Sequence, residues 1–250
     1  FITRSGESDV IHLYDLLKRE EVAKLRFEGI LSISDPSFTD AGDILFRGIN
    51  TQASTDLYIW YKNSETLKQL THDNFNDASP VQGRTTSEVL FTSDRLAGEY
   101  AGVNNIFAMD IESGKIEPVT AAISNFAWPK LLDGGKRLVA ANDADGVFNL
   151  YEIELNNGKF SDTAKPLSAL FSGLETAFAY HDSAFFFTSI EKLTFEIYRF
   201  KPGARPALPP VVSDIKNAVM AEQYAAIAKE AKKAVVDYRE EYTLDYAQSQ

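Results

Sequence analysis

Short apolar runs alternate with polar turns along most of this chain, and one version of the run recurs at near-constant spacing. An apolar residue, an aromatic or its substitute, a variable residue and another apolar or aromatic residue precede a polar turn in Ile11-His12-Leu13-Tyr14-Asp15 and Leu57-Tyr58-Ile59-Trp60-Tyr61. The pattern returns in Ile106-Phe107-Ala108-Met109-Asp110, Leu150-Tyr151-Glu152-Ile153-Glu154 and Ile197-Tyr198-Arg199-Phe200-Lys201, at spacings of 46, 49, 44 and 47 residues. Two further landmarks keep the same phase. A second strand ends in Lys24-Leu25-Arg26, Gln69-Leu70-Thr71, Pro118-Val119-Thr120 and Pro166-Leu167-Ser168, and a Pro-containing stretch with an Asp/Gly turn leads into Ile44-Leu45-Phe46, Val89-Leu90-Phe91 and Leu138-Val139. In the last unit the proline is absent, and Tyr180-His181-Asp182 turns into Phe185-Phe186-Phe187.

Each unit therefore predicts about four short strands with no helical periodicity between them. Runs such as Val89-Leu90-Phe91 are apolar at consecutive positions, so both faces of those strands must be covered. A sheet repeat of about 47 residues cannot bury its own faces and needs neighbours on both sides. The predicted fold is all-β: a propeller of four-stranded antiparallel blades, with about four to five blades present and a C-terminal helical tail. An irregular antiparallel sandwich would also give short strands, but it does not explain three landmarks in one phase.

The stretch Asp35-Pro36-Ser37-Phe38-Thr39-Asp40-Ala41-Gly42-Asp43-Ile44-Leu45-Phe46, followed by Thr55-Asp56-Leu57-Tyr58 and Gln69-Leu70-Thr71, resembles the TolB-like (WD40-like, PD40) propeller repeat. Leu90-Phe91-Thr92-Ser93-Asp94-Arg95 is similar to that family's Phe-Ser-Ser-Asp-Arg element. Ala41 stands where Asp is usual, Gln82-Gly83-Arg84 replaces a Ser-Pro-Asp-Gly turn, and the last unit retains little of the motif. The resemblance covers residues 1–203 and implies a partial blade at 1–27 and blades at about 28–73, 74–121, 122–169 and 170–203. It places Phe1-Ile2-Thr3-Arg4-Ser5-Gly6 in mid-blade, so the chain reads as a piece of a longer protein with at least one strand upstream. Closure of the ring is then expected from another segment or from pairing of the first and last units.

Residues 204–250 read differently. A Pro-rich linker leads to Ser213 and Asp214, which can cap a helix, and Met220, Tyr224, Ile227, Ala231, Val235 and Tyr238 follow as a helical stripe. A helix from Ser213 to Tyr238, loosely attached to the propeller, is the expectation. Tyr238-Arg239-Glu240-Glu241-Tyr242-Thr243-Leu244-Asp245-Tyr246 is similar to a string that follows such propellers in large envelope proteins and leads into an outer-membrane β-barrel. The alternative is a linker helix packed on the blades.

Charge and composition narrow the chemistry. The net charge of −11 repels a phosphate backbone and an anionic membrane surface, so no nucleic-acid partner is expected and membrane association would come only through parts of the parent protein outside this chain. There is no cysteine, hence no disulfide framework or thiol nucleophile. His12, His72 and His181 lack ligand spacing, and no nucleophile elbow or phosphate loop is present. Asp40, Asp43, Asp143 and Asp145 could offer oxygens to Ca²⁺, but shaping their own turns is the ordinary use of such residues. No catalytic residue, metal or cofactor is expected. The binding candidates are Asp94 and Arg95, alternatively an ion pair locking a blade corner, and Tyr100 between Gly98 and Gly102 in the longest insertion.

Three function classes follow. The first is a non-catalytic interaction scaffold of the bacterial periplasm, the cell envelope or its outer-membrane side, contacting protein partners or adjacent domains of the same protein. The second is the regulatory propeller of a prolyl-oligopeptidase-like serine peptidase, which would need a hydrolase domain after the last blade. The third is a small-ligand or sugar-binding propeller, for which only the fold argues.

Overall fold

A computed structural model describes residues 1–223 except 182, 192, 193, 204, 205 and 207. The expected helix therefore lies outside the described residues from Tyr224 onward. Each pass of the sequence repeat forms one antiparallel sheet. The first holds β1 (Ile2–Ser5), β2 (Ser8–Asp15) and β3 (Glu20–Leu25); the second β4 (Ile30–Phe38), β5 (Ile44–Asn50), β6 (Thr55–Tyr61) and β7 (Thr66–Gln69). The third holds β8 (Ala78–Gln82), β9 (Glu88–Ser93), β10 (Asn105–Asp110) and β11 (Ile116–Pro118). The fourth holds β12 (Phe126–Leu132), β13 (Arg137–Asn142), β14 (Asn149–Asn156) and β15 (Lys159–Pro166), and the fifth β16 (Ala179–His181), β17 (Ala184–Glu191) and β18 (Thr194–Phe200). The five sheets are the blades of a β-propeller, and the aromatic pattern occupies the third strand of each complete blade.

The interior strands bury both faces, as their unbroken apolar runs require. Val89, Leu90 and Phe91 on β9 are all 0% exposed, as are Leu138, Val139, Ala140 and Ala141 on β13. Neighbouring blades interlock through four apolar clusters. Ile11, Phe27, Ile44 and Phe46 join the first two blades; Leu45, Ile59, Phe91 and Phe107 the second and third; Leu90, Ile106, Phe126 and Tyr151 the third and fourth; Val139, Leu150, Phe178 and Phe185 the fourth and fifth. Among the described residues no such cluster joins the fifth blade to the first.

In the third and fourth blades an Asn and a Thr or Ser from the repeat form a buried clamp at the blade corner. In the third blade the Ile106 amide donates to Thr120 Oγ1 (2.8 Å), Thr120 Oγ1 donates to Asn105 Oδ1 (3.0 Å), and the Ala122 amide donates to the same oxygen (2.9 Å). The fourth blade repeats this with Leu150, Ser168, Asn149 and Leu170 at 2.8, 2.9 and 2.7 Å. A short side chain with an acceptor or hydroxyl is what a turn needs to satisfy backbone amides that leave the ladder.

After the fifth blade the chain does not run free. β19 (Val211–Val212) pairs with β15 as a fifth strand of the fourth sheet. The Ser213 amide then donates to Asp162 O (2.7 Å) and the Asp214 amide to Ala121 O (2.9 Å). Ala97 donates to Val219 O and Ala221 to Arg95 O, both at 2.8 Å, so the segment is a strap across the fourth and third blades. Ile215, Ala218 and Met220 pack on the cluster between the second and third blades. This corrects the expectation of a loosely attached helix from Ser213: the stretch to Met220 is extended and turned, and helical conformation begins at Ala221.

Candidate functional site

Two concavities stand out among the described residues of the blades. The larger, about 770 Å³, is the central cavity, lined by the first strands β4, β8 and β12 with Ala177 and Phe178 of the fifth blade. Its shape comes from a repeated backbone device. Asp35, Ser79 and Trp128 each hold φ near +50° (50, 52 and 52°) directly before Pro36, Pro80 and Pro129, and the strand register shifts at each site. A following proline disfavours the right-handed helical region for the residue before it, and a non-glycine residue at positive φ is itself strained. Three such bulges in register bend the inner strands and turn the prolines to the cavity.

The wall between the second and third blades is stitched shut. Asp35 Oδ2 accepts from the Ser79 amide (3.2 Å), and Ser37 Oγ donates to Pro80 O (2.6 Å). Asp40 and Gln82 bond reciprocally, the Asp40 amide to Gln82 Oε1 and Gln82 Nε2 to Asp40 Oδ2, each at 2.8 Å. Arg84, on the same side, is held by Glu88 and donates to Gly158 O (2.8 Å). Lys130, one residue past the fourth-blade proline, is half-buried; burial pushes its pKa down, with no contact working against that shift.

The smaller concavity, about 260 Å³, opens at the corner of the second and third blades between residues 52–55, 73–76 and Asp94. Asp94 is half-buried and accepts from the Asn76 amide (2.9 Å). Arg95 beside it turns inward, 2% exposed, and Nη2 donates to both oxygens of the fully buried Asp77 (2.6 and 2.8 Å). Its Nη1 lies 3.3 Å from Asp73, and its guanidinium stands 5.1 to 5.6 Å from the rings of Phe75, Phe91 and Phe107. Burial raises the Asp77 pKa, and the guanidinium opposes the shift. Of the two readings of the Asp94-Arg95 pair, Arg95 has the geometry of the corner lock, and only Asp94 reaches the surface. Tyr100 also faces inward, 6% exposed, on a 3-10 turn at Gly98–Tyr100, where it packs with Leu96 between the blades. The insertion is thus anchored by its aromatic residue and by the strap.

His12, His72, Asp43, Asp143 and Asp145 are engaged in structure, and the His181 side chain lies outside what is described. His12 Nδ1 contacts Glu21 (2.6 Å) and its ring stacks on Phe1 at 4.7 Å; His72 Nδ1 contacts Gln69 Nε2 at 3.0 Å. Asp43 accepts from the Lys62 amide, Asp143 from Asn125, and Asp145 from Asn149, at 2.7 to 2.9 Å. Among the described residues no group of three or more His, Asp or Glu side chains is placed to hold a metal ion. Lys130 was not legible as a site residue; the one signal is that it follows the proline in phase with Ser37.

No family model matches the chain. Over 137 residues, 52% of the chain, it is 32% identical to the Tol-Pal system protein TolB of Helicobacter hepaticus (strain ATCC 51449 / 3B1), and the match spans 30% of that protein. The crystal structure of TolB from Acinetobacter baumannii is similar with a TM-score of 0.54 and 18% identity, over 82% of this chain and 51% of its own. A puromycin-hydrolyzing peptidase of Mycobacterium tuberculosis also reaches a TM-score of 0.54, at 12% identity, over 78% of this chain and 34% of its own. At these identities the two structures share the fold, and the fold does not choose between them.

Proposed function

We propose that this β-propeller, similar in sequence to a TolB protein, acts by binding protein within the bacterial cell envelope, on the periplasmic side, and not by catalysis. The observation that carries the reading is the corner of the second and third blades, where a buried Arg95–Asp77 pair underlies a rim formed by residues 52–55, 73–76 and Asp94. Loops on a rigid scaffold are where recognition resides. Catalysis needs a nucleophile, base or metal with aligned partners, and Asp73 and Asp77 give their oxygens to the Phe75 amide and to Arg95. The 32% identity to a TolB protein over 137 residues favours this reading over the peptidase propeller.

The experiment is cross-linking in envelope extract followed by mass spectrometry, with the chain and its Asn74→Ala/Asp94→Ala variant. Neither substitution touches a core residue. A partner cross-linked through this corner and lost with the variant supports the proposal; equal recovery removes the corner from it. Hydrolysis of peptide p-nitroanilides above the buffer rate by the purified chain would overturn the non-catalytic reading.

A further inference from the structure

The three proline bulges place Ser37, Val81 and Lys130 at one structural position, each pairing with the second strand just after the register shift (Leu45, Leu90 and Val139). In the second blade this position is an inter-blade stitch, because Ser37 donates to the next blade's Pro80 carbonyl. In the fourth blade a lysine occupies it and, among the described residues, finds no hydrogen-bond or ion-pair partner, although it is half-buried. The other charged residues that line the cavity, Asp35, Asp40 and Arg84, all have partners. A desolvated ammonium without a counter-charge is unfavourable, and the lysine stands beside Trp128 and Pro129, across the blade boundary from Phe178.

We propose that the fourth-blade side of the central cavity binds a monocarboxylate with an apolar or aromatic body, its carboxylate on Lys130. This ligand is distinct from the envelope partner assigned to the Asp94 corner. One cation suits one negative charge, and the Asp35 and Asp40 carboxylates two blades away repel a phosphate dianion or a polyanion. Trp128, Pro129 and Phe178 supply the apolar surface, and 770 Å³ lies within the range of about 300–1,000 Å³ usual for small-molecule sites. The same carboxylate chemistry comes from a free small acid or from the C-terminal residue of a protein chain.

Intrinsic fluorescence tests this on the full chain. Its two tryptophans are Trp128 at the site and Trp60, buried between the first and second blades. Titration with 3-phenylpropionate should give a saturable change, with 3-phenylpropionamide at least ~10-fold weaker because it lacks the charge-assisted contact. Lys130→Met should weaken binding of the acid to a similar degree, whereas Lys130→Arg should retain it within ~3-fold. Removal of an unpaired charge should leave the thermal midpoint of Lys130→Met unchanged or raised, as for a residue kept for a ligand. Acetyl-Ala-Phe and its amide separate the sources: tighter binding of the dipeptide acid than of 3-phenylpropionate assigns the carboxylate to a chain end, and weaker binding to a free acid. Equal binding of acid and amide, no saturable response to either acid up to ~10 mM, or unaltered affinity in a folded Lys130→Met would overturn the proposal; the acid–amide comparison on the wild-type chain stands even where the variant does not fold.

Discussion

Ile106 and Ile197 hold the same place in the repeat, on the third strand of their blades, yet Ile106 is 0% exposed and Ile197 80%. The third blade follows β10 with β11, has blades packed on both faces, and closes its corner with Asn105 and Thr120. In the fifth blade β18 is the outer strand of a three-stranded sheet, no described cluster covers its far face, and Glu196 stands where Asn105 does. A repeat motif thus specifies a strand, while its neighbours decide whether that strand is core or surface.

That contrast predicts a graded series in denaturant unfolding. Arg95→Met should cost most, about 3–5 kcal/mol, because it strands the Asp77 carboxylate in the interior of the third blade. Adding Asp77→Leu should recover a large part of the loss, which distinguishes a stranded charge from lost packing. Ile106→Ala should cost about 2–5 kcal/mol through lost burial and a cavity. Asn105→Ala, which removes an acceptor shared by Thr120 and Ala122, should cost about 1–3 kcal/mol. Ile197→Ala should stay within about 0.5 kcal/mol. A cost at Ile197 equal to that at Ile106 would mean that something covers β18 in solution and would erase the distinction.

The fold was legible because three independent landmarks kept one phase. Apolar pairs and triplets such as Leu90-Phe91 demanded burial on both faces, and without helical segments between the units stacked blades supply it. The erosion of the motif in the last unit was legible too, and it coincides with the blade whose outer strand is exposed. The site was less legible. Tyr100 between two glycines reads as a loop residue, but a large aromatic on a short tether buries itself where a cavity is within reach. Lys130 reads as a solvated lysine, because nothing in one strand reveals that the chain bulges and turns the next residue inward. The strap was hidden for a different reason: Val211–Val212 is a strand of two residues, and Met220 satisfied a helical stripe while packing as an extended residue. Side-chain spacing identifies a face, and it takes the partner to identify the backbone.

The strap also orders events in time. Its bonds join Ser213 to Asp162, Asp214 to Ala121 and Ala221 to Arg95, so their docking sites are edges that exist only after the third and fourth blades have folded. During synthesis those blades emerge before the strap, and closing such long loops costs more entropy than forming a hairpin. A contact formed after the rate-limiting step restrains unfolding and leaves the folding rate nearly unchanged, so cutting the strap back to Pro210 is expected to speed unfolding more than it slows folding.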